Sequence, residues 1–225
     1  MPLLSQTADP RYVYVERDGT FQRADGRDEF IVAEDAAGAW SQLCIGNGDI
    51  VLDLGANIGT SARRFLHAGA AVVAVEPDEA NVAGIERNAP EALVRHAAVA
   101  AEAGTINFHL SDVPWRQGTL AELNSGSEPV TVTAVALEEL CAEFVPTVIK
   151  VDIEGAEWDL PWEKVLAGVR ELGMELHDVA GHGAELSQLV RVLDSAGFSV
   201  IVTDELASRD DDRILLARRC TPSLP

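Results

Sequence analysis

Residues 51–59 read Val51-Leu52-Asp53-Leu54-Gly55-Ala56-Asn57-Ile58-Gly59, an apolar run that ends in an acid and then in glycines. A second apolar run, Val72-Val73-Ala74-Val75, closes on Glu76. Glycine lets a chain turn tightly and lets a ligand approach the backbone. An acid about 20 residues beyond such a corner, at the end of the next strand, can accept hydrogen bonds from a ribose diol. Together these features describe a pocket for an adenosine-bearing cofactor. The plainer alternative is a strand–turn–helix corner whose glycines serve only the turn.

Spacing separates two kinds of cofactor. A dinucleotide site needs G-x-G-x-x-G, with bare backbone facing a pyrophosphate. Here the order is Asp53-x-Gly55-x-Asn57-x-Gly59, with no Gly-x-Gly pair. Asp53 would repel phosphates, yet an acid suits a ligand carrying an ammonium and a sulfonium. The spacing therefore favours S-adenosylmethionine.

The chain has 225 residues, 47% of them hydrophobic, enough for one large domain or a domain with a small appendage. The expected division is an appendage over 1–48, a hairpin and a helix, and a cofactor-binding domain over 49–220. A formal net charge of −20 argues against nucleic acid or an anionic membrane surface as partner. A small-molecule substrate is expected instead, and a homodimer is left open. Cys44, Cys141 and Cys220 are scattered, without C-x-x-C spacing, which points to reduced thiols in a cytoplasmic protein. Met1 to Pro10 lacks the pattern of a signal peptide, and no apolar run is long enough to span a membrane.

Asp18-Gly19 between Tyr12–Val15 and the residues after Thr20 signals a hairpin. Ala33–Cys44 reads as a helix. From Ile50 the chain alternates strands (50–54, 71–75, 93–97, 105–110, 130–135, 147–152, 171–177, 198–203, 213–217) with helices (60–67, 78–88, 137–143, 162–167, 185–196). Gly197 stands as a helix C-cap. Such alternation predicts an α/β fold, a mostly parallel sheet with helices on both faces and an antiparallel last hairpin.

Two of these strands break the rule that doubly covered strands are apolar throughout. In Val148-Ile149-Lys150-Val151-Asp152-Ile153-Glu154 the charges fall at every second position. Lys150, Asp152 and Glu154 then share a face if the strand extends that far. In Leu172-Gly173-Met174-Glu175-Leu176-His177, Glu175 and His177 share one. If the strands are neighbours, these groups converge near the C-terminal ends, where open α/β sheets bind ligands. Lys150 reads best as a pairing lysine, for Asp152 or Glu175, and Glu154 as a cap for the segment after it. Asp152 reads as a site residue. His177, an imidazole at a strand end, is the first choice for a general base, ahead of Asp152. Asp152, Glu175 and His177 also make a conceivable Mg²⁺ or Mn²⁺ set, but three residues of unknown geometry are weak grounds, and no metal is expected.

Val51–Gly59, Val75-Glu76-Pro77-Asp78 followed by Asn81, Ala97-Ala98-Val99, Lys150–Glu157 and Glu175-Leu176-His177 resemble the FkbM family of S-adenosylmethionine-dependent methyltransferases, in the family's order. The segment from Lys150 to Glu157 is the most specific part. The resemblance implies a Rossmann-like, seven-stranded sheet and methyl transfer to an oxygen, often on a sugar or natural-product hydroxyl. It places Asp53, Gly55 and Asn57 around the amino-acid end of the cofactor and Glu76 on the ribose. The cofactor-binding set it implies is Asp53, Gly55, Ala56, Asn57, Gly59, Glu76, Pro77, Ala97 and Asp152. His177, Asp152 and Glu175 form the expected catalytic set. Trp115, Trp158 and Trp162 are candidates for a substrate wall, against the default reading of core packing. Rival functions are a nicotinamide-dependent oxidoreductase, a non-catalytic scaffold, and other S-adenosylmethionine chemistry.

Overall fold

The computed structural model describes residues 4–5, 14–17, 20–23, 39–109, 129–204 and 212–219. Three short strands come first: β1 (Leu4–Ser5), β2 (Tyr14–Arg17) and β3 (Thr20–Arg23), an antiparallel sheet in the order β1-β2-β3. β2 and β3 pair antiparallel with Arg17 opposite Thr20, the pairing expected of a hairpin there, and Asp18-Gly19 lies outside the described residues. Of the helix expected over Ala33–Cys44, only the end is described, and Ala39–Gln42 there is a 3₁₀ turn. The Pro114–Leu120 segment with Trp115, and Cys220, lie outside the described residues.

The main sheet has seven strands. They are β4 (Ile50–Leu54), β5 (Ala71–Glu76), β6 (Leu93–His96), β10 (Val148–Val151), β11 (Glu171–Leu176), β12 (Phe198–Thr203) and β13 (Arg213–Arg219). Their order is β12-β13-β11-β10-β4-β5-β6, with β13 antiparallel to both β11 and β12. The helices are α1 (Thr60–His67), α2 (Glu79–Asn88), α3 (Leu137–Phe144), α4 (Trp162–Val165) and α5 (Gly183–Ser195). Gly197, with φ 83°, stands just beyond α5, in the left-handed conformation that suits a glycine.

Side chains alternate across a strand, and the apolar runs accordingly feed two cores. Leu52, Leu54, Val73, Val75, Ile149 and Val151 enter one core with Leu172, Met174 and Leu176. Val51, Val72, Ala74 and Val148 enter the other, with Phe65, Ile85 and Trp40. Each fully buried Leu or Val contributes roughly 1.5–3 kcal/mol. Asp53 and Lys150 belong by alternation to the second face, and the register sets them directly opposite each other on adjacent strands.

Two of the expected strands leave this sheet. β8 (Gly104–His109) and β9 (Pro129–Ala136) pair with β7 (Ala98–Ala100) in a separate three-stranded sheet, order β7-β9-β8. The reason lies in their composition. Half of the residues in each strand are exposed, Thr105, Asn107, Thr131 and Thr133 among them, so they cannot sit in a doubly covered sheet. The strand expected over Leu93–Ala97 ends at His96, and β7 begins afresh two residues on.

Candidate active site

Chain order β4, β5, β6 runs toward one edge of the sheet, and β10 then starts on the other side of β4. That reversal is a topological switch point, the place beyond the strand ends where open α/β sheets bind ligands. Asp53, Glu76 and Asp152 stand at the C-terminal ends of β4, β5 and β10.

The corner after β4 is held from beneath. Gly55 N and Ala56 N both donate to Val75 O, at 3.0 and 3.1 Å. Asn57, in the left-handed region at φ 49°, donates its N–H to Glu76 Oε2 at 2.9 Å. These three amides face inward, so they offer a pyrophosphate no cradle. Gly55 is required by contact as well as by its φ of 73°: a Cβ there would lie 1.7 Å from Asp152 O. Gly59 has a different duty from the corner residues. It caps α1 at φ 87° and packs against Ile85 of α2, where a Cβ would lie 3.0 Å from Ile85 Cα.

Asp53 is fully buried beneath the corner. Its Oδ2 accepts from Ser61 Oγ at 2.6 Å, and Lys150 Nζ is 3.1 Å from Oδ1. Lys150 also donates to Gly55 O at 2.7 Å, stands 3.6 Å from Asp152 Oδ2, and lies over the Trp40 ring. Gly173, beside Lys150 in the register, has Leu43 and Trp40 against it where a side chain would be. The lysine is a pairing residue, as expected, with Asp53 added to its partners.

Glu76 is buried and accepts from Asn57 N, Asp78 N and Asn81 Nδ2. Burial raises its pKa from the ordinary 4.5 to about 7, against these hydrogen bonds, which lower it. A carboxyl whose folded pKa exceeds its unfolded value contributes stability that is full below about pH 4.5 and is lost as pH rises through about 7. We expect one glutamate carboxyl to titrate near pH 7 in ¹³C NMR of the cofactor-free protein and to vanish in Glu76→Ala. A spectrum in which every glutamate titrates below pH 5.5 or so would refute the shift. Pro77 and Ala97 flank Glu76: Ala97 N donates to Glu76 O, and His96 Nε2 lies 3.0 Å from Pro77 O.

The acidic segment after β10 does not stay extended. The strand ends at Val151, and Glu154 takes a left-handed φ of 50° before Gly155 at 105°. This turn carries Glu154 out of line with Lys150 and Asp152 and delivers Glu157 into the interior, fully buried. Glu157 Oε2 accepts from Gly155 N, and its Oε1 accepts from His177 N at 2.7 Å and faces His177 Nδ1 at 3.0 Å. His177 is 1% exposed. Burial lowers its pKa, but Glu157, Glu154 and Glu175 together hold it well above the ordinary 6.5. The surrounding carboxylates thus favour the protonated ring. Asp152, with its side chain 28% exposed, is the carboxylate left toward solvent. Sequence reasoning missed Glu157 as the partner of His177, and Ser61 as that of Asp53. The glycine before the Ala156–Asp159 turn was the one available signal for the first. Of the tryptophans, Trp162 is core and donates to Glu157 O, while Trp158 donates to His177 O and stacks on His182.

This donor set fits S-adenosylmethionine. Carboxylates suit an ammonium, a sulfonium and a diol. Lys150, which might have met a phosphate, is buried on Asp53 and Gly55 O.

The Methyltransferase FkbM domain matches residues 53–200, well over half of the chain. Among curated proteins no sequence matches. Solved structures with a similar fold include a putative S-adenosylmethionine dependent methyltransferase from Listeria monocytogenes, 12% identical, with a TM-score of 0.52 over 84% of this chain and 99% of that one. An rRNA methylase from Streptococcus thermophilus is 11% identical, with a TM-score of 0.51 over 85% and 96%. Precorrin-6y C5,15-methyltransferase from Geobacter metallireducens GS-15 is 13% identical, with a TM-score of 0.50 over 84% and 89%. The corner, the switch point and the domain match agree: the chain belongs to the FkbM family of methyltransferases, and its cofactor is S-adenosylmethionine.

Proposed function

We propose that the protein methylates a hydroxyl oxygen of a small natural-product or sugar-like acceptor, in the cytoplasm. The observation that supports this is the contrast among the three strand-end acids. Asp53 and Glu76 are buried, whereas Asp152 keeps part of its carboxylate in solvent beside the Gly55 corner. Bound S-adenosylmethionine supplies a methyl group made electrophilic by its sulfonium. Glu76 accepts from the ribose diol, and the Gly55–Asn57 corner and Asp53 border the amino-acid end. Asp152 receives the proton that the acceptor hydroxyl gives up. His177 is buried and engaged through Nδ1 by Glu157, so it positions the acidic segment and leaves the proton to Asp152. On this reading Asp152 comes before His177 as proton acceptor.

The test is incubation with methyl-labelled S-adenosylmethionine and hydroxyl-bearing acceptors, with the product analysed by mass spectrometry and NMR. Label on an oxygen is expected. In Asp152→Asn, kcat falls by about 10²-fold or more, because the charge is lost while shape and hydrogen bonding remain, and cofactor Kd changes little. A methyl group found on nitrogen or carbon would overturn the oxygen assignment, and an undiminished kcat would remove Asp152 from the proton transfer.

A further inference from the structure

Asp152, Glu175 and His177 each offer one ligand atom, and these three atoms lie within 4.8 Å of one another. The sequence alone could not establish that closeness, because His177 lies one residue beyond the end of β11 and Asp152 one residue beyond the end of β10. The convergence is therefore a property of the folded strand ends.

Two further observations point to a ligand there. His177 is nearly fully buried, and its Nδ1 is engaged by Glu157 Oε1 at 3.0 Å. Its Nε2 is ion-paired with Glu154 Oε2 at 3.6 Å, longer than a hydrogen bond, a contact that a bound cation would replace. A carboxylate on the far nitrogen is the arrangement that fixes the tautomer and orientation of a metal-binding histidine. Glu157 is itself immobilised by the N–H groups of Gly155 and His177. The support is thus rigid to the second layer. Asp152, on the solvent side, leaves the cluster open toward the switch point, so a bound ion would keep positions for outside ligands.

We propose that Asp152, Glu175 and His177 bind one divalent cation, Mn²⁺ foremost, beside the cofactor corner. Two carboxylates with one imidazole make a mixed oxygen–nitrogen set. Mg²⁺ favours oxygen and water throughout, and structural Zn²⁺ favours a closed four-ligand set richer in sulfur and nitrogen. Mn²⁺ accepts carboxylate, imidazole and water together. Its binding displaces the proton from Nε2. The use of the ion rests on the oxygen-methylation reading: an acceptor hydroxyl that reaches it would be held in place and made more acidic. The binding itself does not rest on that reading.

The experiment titrates the metal-stripped full chain with Mn²⁺, without cofactor or acceptor, and reads the bound ion by electron paramagnetic resonance. One ion per chain is expected, with a nitrogen coupling from one imidazole in the spin-echo spectrum. Glu175→Gln should weaken binding at least about tenfold, and Glu157→Gln should weaken it about 10–100-fold through the histidine. Failure of the parent protein to bind Mn²⁺, or bound Mn²⁺ without nitrogen coupling, overturns the site. Should either variant unfold, the nitrogen coupling of the parent still decides. Methyl transfer at full rate after chelation, with no ion bound, overturns the ion's part in the reaction and spares the transfer reading. Bound Mn²⁺ with no oxygen-methylated product does the reverse.

Discussion

Gly55→Ala is expected to cost roughly 4 kcal/mol or more and to abolish measurable cofactor binding. Two penalties combine. A non-glycine residue at φ 73° pays about 1–2 kcal/mol in left-handed backbone. The added Cβ would also lie 1.7 Å from Asp152 O and 2.7 Å from Asp152 C. Those are backbone atoms at the end of β10, tied to β4 through Asp152 N donating to Leu54 O at 3.0 Å. The clash cannot be relieved by rotating a side chain. Either the corner or the strand end must move, and both border the switch point. Gly48→Ala is the control. It carries a similar φ of 88°, yet a Cβ there meets nothing within 4 Å, so it isolates the backbone penalty. Urea unfolding and calorimetry with S-adenosylmethionine check both variants. If Gly55→Ala unfolds at the same urea concentration as Gly48→Ala, the close contact with Asp152 is wrong.

Lys150→Met should destabilise the protein by about 3–5 kcal/mol, although methionine fills much the same space. The ammonium is 2% exposed and faces Asp53, which is 0% exposed. Removing the cation strands a carboxylate in the interior, with the Ser61 hydroxyl still donating to it at 2.6 Å. An uncompensated buried charge is what makes breaking such a pair costly. The double variant Asp53→Asn/Lys150→Met should recover most of the loss, since neither charge then remains. Unfolding curves for the four members of this cycle give the coupling directly. A single-variant loss below about 1 kcal/mol would show that Asp53 finds solvent or another partner. The double variant also loses the lysine hydrogen bond to Gly55 O, so its recovery is expected to be incomplete.

Much of this was legible in the residues. The strand from Ile50 to Leu54, the glycine corner and the acid at Glu76 are local features, and local spacing carries them. Strand alternation placed Lys150 and Asp152 on one side, and the 3.6 Å contact between them follows from it. The condition for Glu154 to share that face, that the strand extend so far, is not met, because β10 ends at Val151 and Glu154 takes a left-handed φ; no periodicity reveals a single positive φ in a non-glycine residue. The strands at Thr105 and Val130 were visible as strands, but their partners were not. Pairing joins residues far apart in sequence, and apolar content alone does not tell a doubly covered strand from a one-sided one.

The succession of strands and helices along the chain, the cofactor corner and the presence of an acidic, imidazole-bearing strand end were therefore set by sequence, through periodicity and spacing. The tertiary structure alone decided what each charge touches. It buried Asp53 on Lys150, turned Glu157 inward to hold His177, and left Asp152 at the surface. The physical reason is that protonation and role depend on burial and on partners within a few ångströms, and those come from segments separated by 20 to nearly 100 residues.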